Sequence, residues 1–137
     1  MEDIFTFVSS HPYLVGCFVV LLALFIRNEM SRGGASISAQ QLVQMVNNEN
    51  ALVLDVRDKA EFDTGHIVDS INIPYANLES RLDELKKHQN RPVVVACKMG
   101  QHAGASGTML RKNGFEQVSR LRGGLGEWRS QNLPVVK

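Results

Sequence analysis

The chain has 137 residues, with 15 Lys and Arg against 14 Asp and Glu and a formal net charge of +1 at pH 7. That balance supplies no basic surface for a phosphate backbone, which argues against nucleic acid as a partner. Cys17 lies in an apolar stretch and Cys97 in a loop, so the two do not suggest a structural disulfide, and no repeat, low-complexity tract or metal-ligand spacing occurs.

Residues 4–26 are apolar apart from Thr6, Ser9, Ser10, His11 and Pro12. As one helix they would run about 35 Å, enough for a bilayer that needs ~20 residues. The uninterrupted part, residues 13–26, is shorter, and Pro12 can break or kink the first turn. The start Met1-Glu2-Asp3 is acidic where a signal peptide is basic, and Arg27, Glu29 and Arg32 follow without a clear cleavage site. Residues 1–30 are therefore expected to form one uncleaved transmembrane helix, in preference to a cleaved signal or a buried core helix. Arg27 and Arg32 follow the apolar run and no basic residue precedes it. The positive-inside rule then puts the N-terminus outside and the following domain in the cytoplasm, across an inner membrane if the source is bacterial. This keeps Cys97 in a reducing space. Residues 31–36, Ser-Arg-Gly-Gly-Ala-Ser, read as a flexible linker, and residues 37–137 as one domain. Roughly a hundred residues can bury a core without disulfide staples.

Within that domain helices and strands alternate. Ser38 with Gln41 forms a capping box for a helix carrying Leu42, Val43 and Met45, and residues 51–56 form a continuous apolar strand of the kind buried on both faces. Asp58 with Glu61 suggests a second cap, and Gly65 a stop. A short strand at 70–73 ends at Pro74; Leu78, Leu82 and Leu85 have helical spacing; residues 92–96 form a second buried strand. A helix from about 103 to 113 stops at Gly114 and carries the small residues Gly104, Ala105, Ser106 and Gly107, and residues 117–121 form a third strand. The fold class is α/β, a mostly parallel central sheet flanked by helices.

The residue that points to chemistry is Cys97. It ends the run Val93-Val94-Val95-Ala96 and opens the segment Lys98-Met99-Gly100-Gln101-His102, just before the helix that begins near Ala103. Gly100 lets backbone N–H groups turn toward the sulfur, and a helix N-terminus and a neighbouring Lys98 favour a thiolate or bound anion there. His102 could add a charge or a hydrogen bond. The bland alternative is a buried structural thiol, the commonest fate of a free cysteine.

The wider pattern turns that balance. Leu54-Asp55-Val56-Arg57, Glu61-Phe62, Gly65-His66-Ile67, Asn72-Ile73-Pro74 and, after the cysteine, Gly114-Phe115, Leu121, Gly123-Gly124 and Trp128 occur in one order. From about residue 36 to 137 the chain resembles a single-domain rhodanese, a thiosulfate sulfurtransferase homologue. The resemblance makes Cys97 the catalytic residue that carries a persulfide, and Lys98, Met99, Gly100, Gln101, His102 and Ala103 the loop that binds the anionic donor. Relatives of this fold that act on phosphate or arsenate esters have a loop longer by a residue and an arginine where Ala103 stands. The short loop suits sulfur.

On this resemblance Cys97 takes a sulfane sulfur from a donor such as thiosulfate and passes it to a thiol or cyanide, with no metal and no cofactor. Asp55 and Arg57 fall on one side of the pleat at a strand end and either join a polar network around the loop or close a structural ion pair; the structural role is the better fit. His66 reads as a packed residue, Trp128 as the core anchor of the last helix, and Gly123-Gly124 as a close backbone passage past the Cys97 loop. The rival expectation is a membrane-tethered interaction module that recruits another membrane protein and catalyses little.

Overall fold

Proline at position 12 decides the N-terminal architecture. The computed structural model describes residues 1–30 and 34–137, which fall into two units, residues 1–31 and 32–137. In the first, helix α1 (Glu2–Ser10) and helix α2 (Pro12–Met30) meet at His11, whose φ of −129° and ψ of 56° leave the helical region. The proline ring disfavours helical backbone in the residue before it, and Pro12 itself fits the first position of a new helix, where its missing N–H costs nothing. The two axes differ by 96°. The expected single transmembrane helix is thereby corrected. Among the described residues no single helix is long and apolar enough to cross a membrane, whereas the bent pair Glu2–Ser10 and Pro12–Asn28 meets both criteria together.

Both helices leave their apolar side chains open. In α1 Ile4, Phe5, Phe7 and Val8 share one side, and Glu2, Asp3, Thr6, Ser9 and Ser10 the other, as the 3.6-residue period requires. In α2 exposed apolar residues surround the axis, from Leu14 through Phe18, Val20 and Leu22 to Phe25.

The second unit is built on a five-stranded parallel sheet in the order β1-β5-β4-β2-β3. Its strands are β1 (Ala35–Ile37), β2 (Leu52–Asp55), β3 (Ile71–Asn72), β4 (Val93–Ala96) and β5 (Val118–Leu121). Of the expected linker, residues 31–33, Arg32 included, lie outside the described residues. Ala35 and Ser36 are strand because their backbones find partners in β5, Ala35 opposite Ser119 and Ser36 opposite Arg120.

Helices α3 (Ala39–Glu49), α4 (Lys59–Asp63), α5 (Ala103–Lys112) and α6 (Gly124–Ser130) complete the unit. Strands β2 and β4 are buried along their whole length, as their unbroken apolar sequences imply. Side chains alternate across the sheet, so Leu52, Leu54, Val93 and Val95 join Ile73, Leu78, Leu85, Leu110 and Phe115 on one face. Val53, Val94 and Ala96 join Leu42, Leu121, Leu125 and Trp128 on the other. The Ser38 capping box is complete: Gln41 N–H donates to Ser38 Oγ at 3.2 Å, and Ser38 N–H to Gln41 Oε1 at 2.8 Å.

Two local expectations change. The leucine-spaced segment forms 3-10 turns, Tyr75–Asn77 and Glu79–His88, in place of an α-helix. Leu82 and Leu85 are three apart and both face the core, a spacing the tighter 3.0-residue period also satisfies. Asp58 does precede α4, but its side chain makes no cap bond, and Glu61 turns toward Lys98.

The capping box gives a direct check. Ser38→Ala leaves the Gln41 amide without its partner and is expected to lower stability by about 1 kcal/mol, read from chemical unfolding of the full chain by Trp128 fluorescence.

Candidate active site

Parallel strands end at one edge of a sheet, and open α/β folds bind ligands beyond those carboxyl ends. β4 delivers Cys97 to that edge, β2 delivers Asp55 and Arg57, and β5 leads into Gly123 and Gly124. Cys97 is 3% exposed. Its Sγ accepts the N–H of Gly100 at 2.8 Å, closing a tight ring of backbone around the sulfur. Gly100 has φ +92°, a conformation that side chains oppose, so glycine is what turns that N–H inward.

The loop is fastened from below by the start of α6. Leu125 N–H donates to the Cys97 carbonyl at 2.8 Å, and Gly126 N–H to the Lys98 carbonyl at 3.0 Å. This contact needs Gly124, where φ is +60° and a Cβ would collide with the Cys97 carbonyl. The sequence reading of Gly123-Gly124 as a close passage past the loop describes this geometry.

A cleft of about 280 Å³ opens above the sulfur. Its walls are Val56, Arg57, Asp58, Glu61, Tyr75 and Ala76 on one side and Cys97, Lys98, Gln101 and His102 on the other. A second cleft of about 240 Å³ shares Arg57, Glu61 and Lys98 with the first and is completed by Thr64, Met99, Leu125, Gly126 and Arg129. Of the residues expected to bind the donor, Lys98, Gln101 and His102 thus face the sulfur's cleft. Met99 opens to its neighbour, Gly100 holds the sulfur, and Ala103 is buried at the start of α5.

Lys98 was expected to be the cation beside the thiol. It lines the cleft with Cys97, and its Nζ lies 3.6 Å from Glu61 Oε1, in a pair whose side chains are 71% and 41% exposed. His102 stacks on Tyr75, ring centroids 4.5 Å apart and planes 13° from parallel. Its carbonyl begins α5 by accepting from Ser106 N–H at 3.0 Å and Ser106 Oγ at 2.8 Å.

Asp55 and Arg57 form a buried ion pair. Arg57 Nη2 donates to Asp55 Oδ2 at 2.8 Å and to the Gly65 carbonyl at 2.8 Å, while Nε reaches Asp55 Oδ1 at 3.0 Å. Asn72, which no sequence signal singled out as polar support, donates from Nδ2 to the Asp55 and Arg57 carbonyls at 3.1 and 2.9 Å. Other residues missed at the site are Asp58, Glu61 and Tyr75. The first two carried the spacing of a helix cap, and Tyr75 followed Pro74 without any periodic signal. His66 is packed, stacked on Phe62 with its Nδ1 3.0 Å from the Phe62 carbonyl, and Trp128 donates from Nε1 to the Pro134 carbonyl at 3.0 Å. Among the described residues no three His, Cys, Asp or Glu gather as metal ligands.

The family model for the rhodanese-like domain matches residues 38–131, from the capping box to the end of α6. The chain belongs to the rhodanese-like family. A full-length relative is the uncharacterized protein YibN of Escherichia coli, 31% identical over 141 residues that cover 100% of this chain and 99% of that one. The tRNA uridine(34) hydroxylase of Buchnera aphidicola subsp. Baizongia pistaciae is 29% identical over 110 residues, 74% of this chain and 35% of the hydroxylase. The crystal structure of a rhodanese-related protein from Thermoplasma volcanium superposes with a TM-score of 0.68 at 30% identity, covering 74% of this chain and 97% of that one. The rhodanese-like domain thus places one cysteine on the floor of a cleft, with a backbone N–H on its sulfur.

The fastening by α6 is testable. Gly124→Ala should cost more than about 1 kcal/mol, since it adds both a collision and a disfavoured φ. It should also change the alkylation rate of Cys97, measured in a Cys17→Ser background by peptide mass spectrometry.

Proposed function

We propose that this chain is a membrane-anchored sulfurtransferase that moves a sulfane sulfur from a small donor such as thiosulfate to a thiol or cyanide acceptor through a persulfide on Cys97. The observation that carries the reading is the Gly100 N–H on Cys97 Sγ at the floor of a solvent-open cleft. A structural thiol in a core needs neither the inward N–H nor the cleft. The Cys97 thiolate attacks the outer sulfur of thiosulfate, the donor S–S bond breaks, and sulfite leaves with the bonding pair. An acceptor thiolate then attacks the outer sulfur of Cys97–S–SH, which returns Cys97 as a thiolate. These are two half-reactions of ping-pong form. A backbone N–H fixed at 2.8 Å is placed to stabilise the charge that develops on Sγ as it attacks the donor and again as it leaves the outer sulfur. Ala103, in place of the arginine found in phosphate-handling relatives of this fold, supports sulfur chemistry in preference to phosphoryl chemistry.

The bent helical pair supports the membrane half of the proposal. A helix apolar on every side has no stable place in water, and lipid is the solvent that suits α2. The amphipathic α1 adds a second apolar face, and only the two helices together carry the length and hydropathy that a span requires. In this arrangement the N-terminus lies outside and the domain of residues 37–137 in the cytoplasm, since Arg27 follows the apolar run.

Intact-protein mass spectrometry of the full chain after incubation with excess thiosulfate is expected to show a gain of one sulfur atom, removed by cyanide and absent from Cys97→Ser. A folded, reduced chain that gains no sulfur from thiosulfate or from an organic persulfide would sink the enzyme and favour the tethered interaction module. The anchor is checked separately: the expressed chain should stay with the membrane pellet through alkaline carbonate and be released by detergent. Release by carbonate alone would contradict it.

A further inference from the structure

The charges around the cleft are arranged in a way that bears on which donor it accepts. Arg57 and Lys98 are the permanent cations in its walls, and each already has a carboxylate beside it. Arg57 is committed to Asp55 and the Gly65 carbonyl, its side chain 4% exposed, and Lys98 pairs with Glu61. Asp58 adds another carboxylate at the rim, exposed and making no cap bond to α4. Counting the Asp55 that neutralises Arg57, two cations stand against three carboxylates. A carboxylate repels a dianion twice as strongly as a monoanion at the same distance. Beside these charges the cleft has an apolar wall, Val56, Ala76 and the Tyr75 ring stacked on His102. Thiosulfate, a small dianion without apolar surface, gains nothing from that wall and meets the carboxylates at full charge.

We infer that the natural donor is an organic persulfide, R–S–SH, carrying at most one negative charge at its reacting end and an apolar group that lies against Val56, Tyr75 and Ala76, and that Asp58 and Glu61 are the residues that discriminate against thiosulfate. The inference rests on the sulfurtransferase reading of Cys97 and refines its substrate. The step balances without a further reactant: the Cys97 thiolate attacks the outer sulfur of R–S–SH, the donor S–S bond breaks, R–S⁻ leaves, and Cys97–S–SH remains. Glu61 acts twice, as a negative charge in the wall and as the counter-charge that offsets Lys98. Asp58 acts by its charge alone.

The test loads the full-length chain with two probes, thiosulfate and benzyl persulfide, and reads the second-order rate of sulfur gain on Cys97 by intact mass. Asp58→Asn and Glu61→Gln alter exposed side chains, and far-ultraviolet circular dichroism with Trp128 fluorescence checks that each variant is folded. The native chain is expected to load from the persulfide faster than from thiosulfate. The thiosulfate-to-persulfide rate ratio should rise about threefold in Asp58→Asn and about tenfold in Glu61→Gln, where Lys98 is also freed. Raising ionic strength should raise the native ratio and leave that of the double variant nearly flat. A native preference for thiosulfate, or a ratio within twofold of native in both variants, would overturn the inference while leaving Cys97 a sulfur carrier. If neither probe loads a folded native chain, the sulfurtransferase reading itself fails and the donor assignment with it.

Discussion

Two backbone hydrogen bonds, from Leu125 and Gly126 to the carbonyls of Cys97 and Lys98, hold the site together. They join the end of β4 to the start of α6, segments almost thirty positions apart, at the one place where the chain leaves the sheet to surround a sulfur. Two backbones can approach this closely only where a side chain is missing, and Gly124 supplies that gap. With the carbonyls of the loop turned down onto α6, its amides are free to turn up, and the Gly100 N–H meets the sulfur. Position, not an added charge, is what the fold contributes to Cys97.

The same economy governs the polar residues behind the loop. An arginine and an aspartate buried together are expensive to desolvate, and their attraction repays that cost only with good geometry and further hydrogen bonds. Arg57 has both: paired contacts to Asp55 and a bond to the Gly65 carbonyl. Asn72 satisfies the two backbone carbonyls beside them, so β2, β3 and the turn after α4 are fixed relative to one another. Those elements carry one wall of the cleft. Asp55 and Asn72 thus set its shape from behind, outside the lining itself.

Much of this was legible in the residues. The valine run before Cys97, the Ser38–Gln41 box and the Gly114 stop each express a local rule, and each local rule was obeyed. Failures came where distant parts of the chain decide. Ala35-Ser36-Ile37 has no strand alternation of its own and becomes β1 only because β5 lies beside it. Glu61 had cap spacing, yet Lys98, far along the chain, is its partner. Pro12 signalled a break, but the 96° turn depends on the conformation His11 adopts, which composition does not reveal. The resemblance located the sulfur; the carboxylates that face it became visible only in three dimensions.

The edges of the sheet are short, three residues in β1 and two in β3. An edge strand exposes a row of unsatisfied backbone groups that can recruit the edge of another copy, and a row of two or three is too brief a template to do so. Edges this brief disfavour strand pairing between copies of the domain.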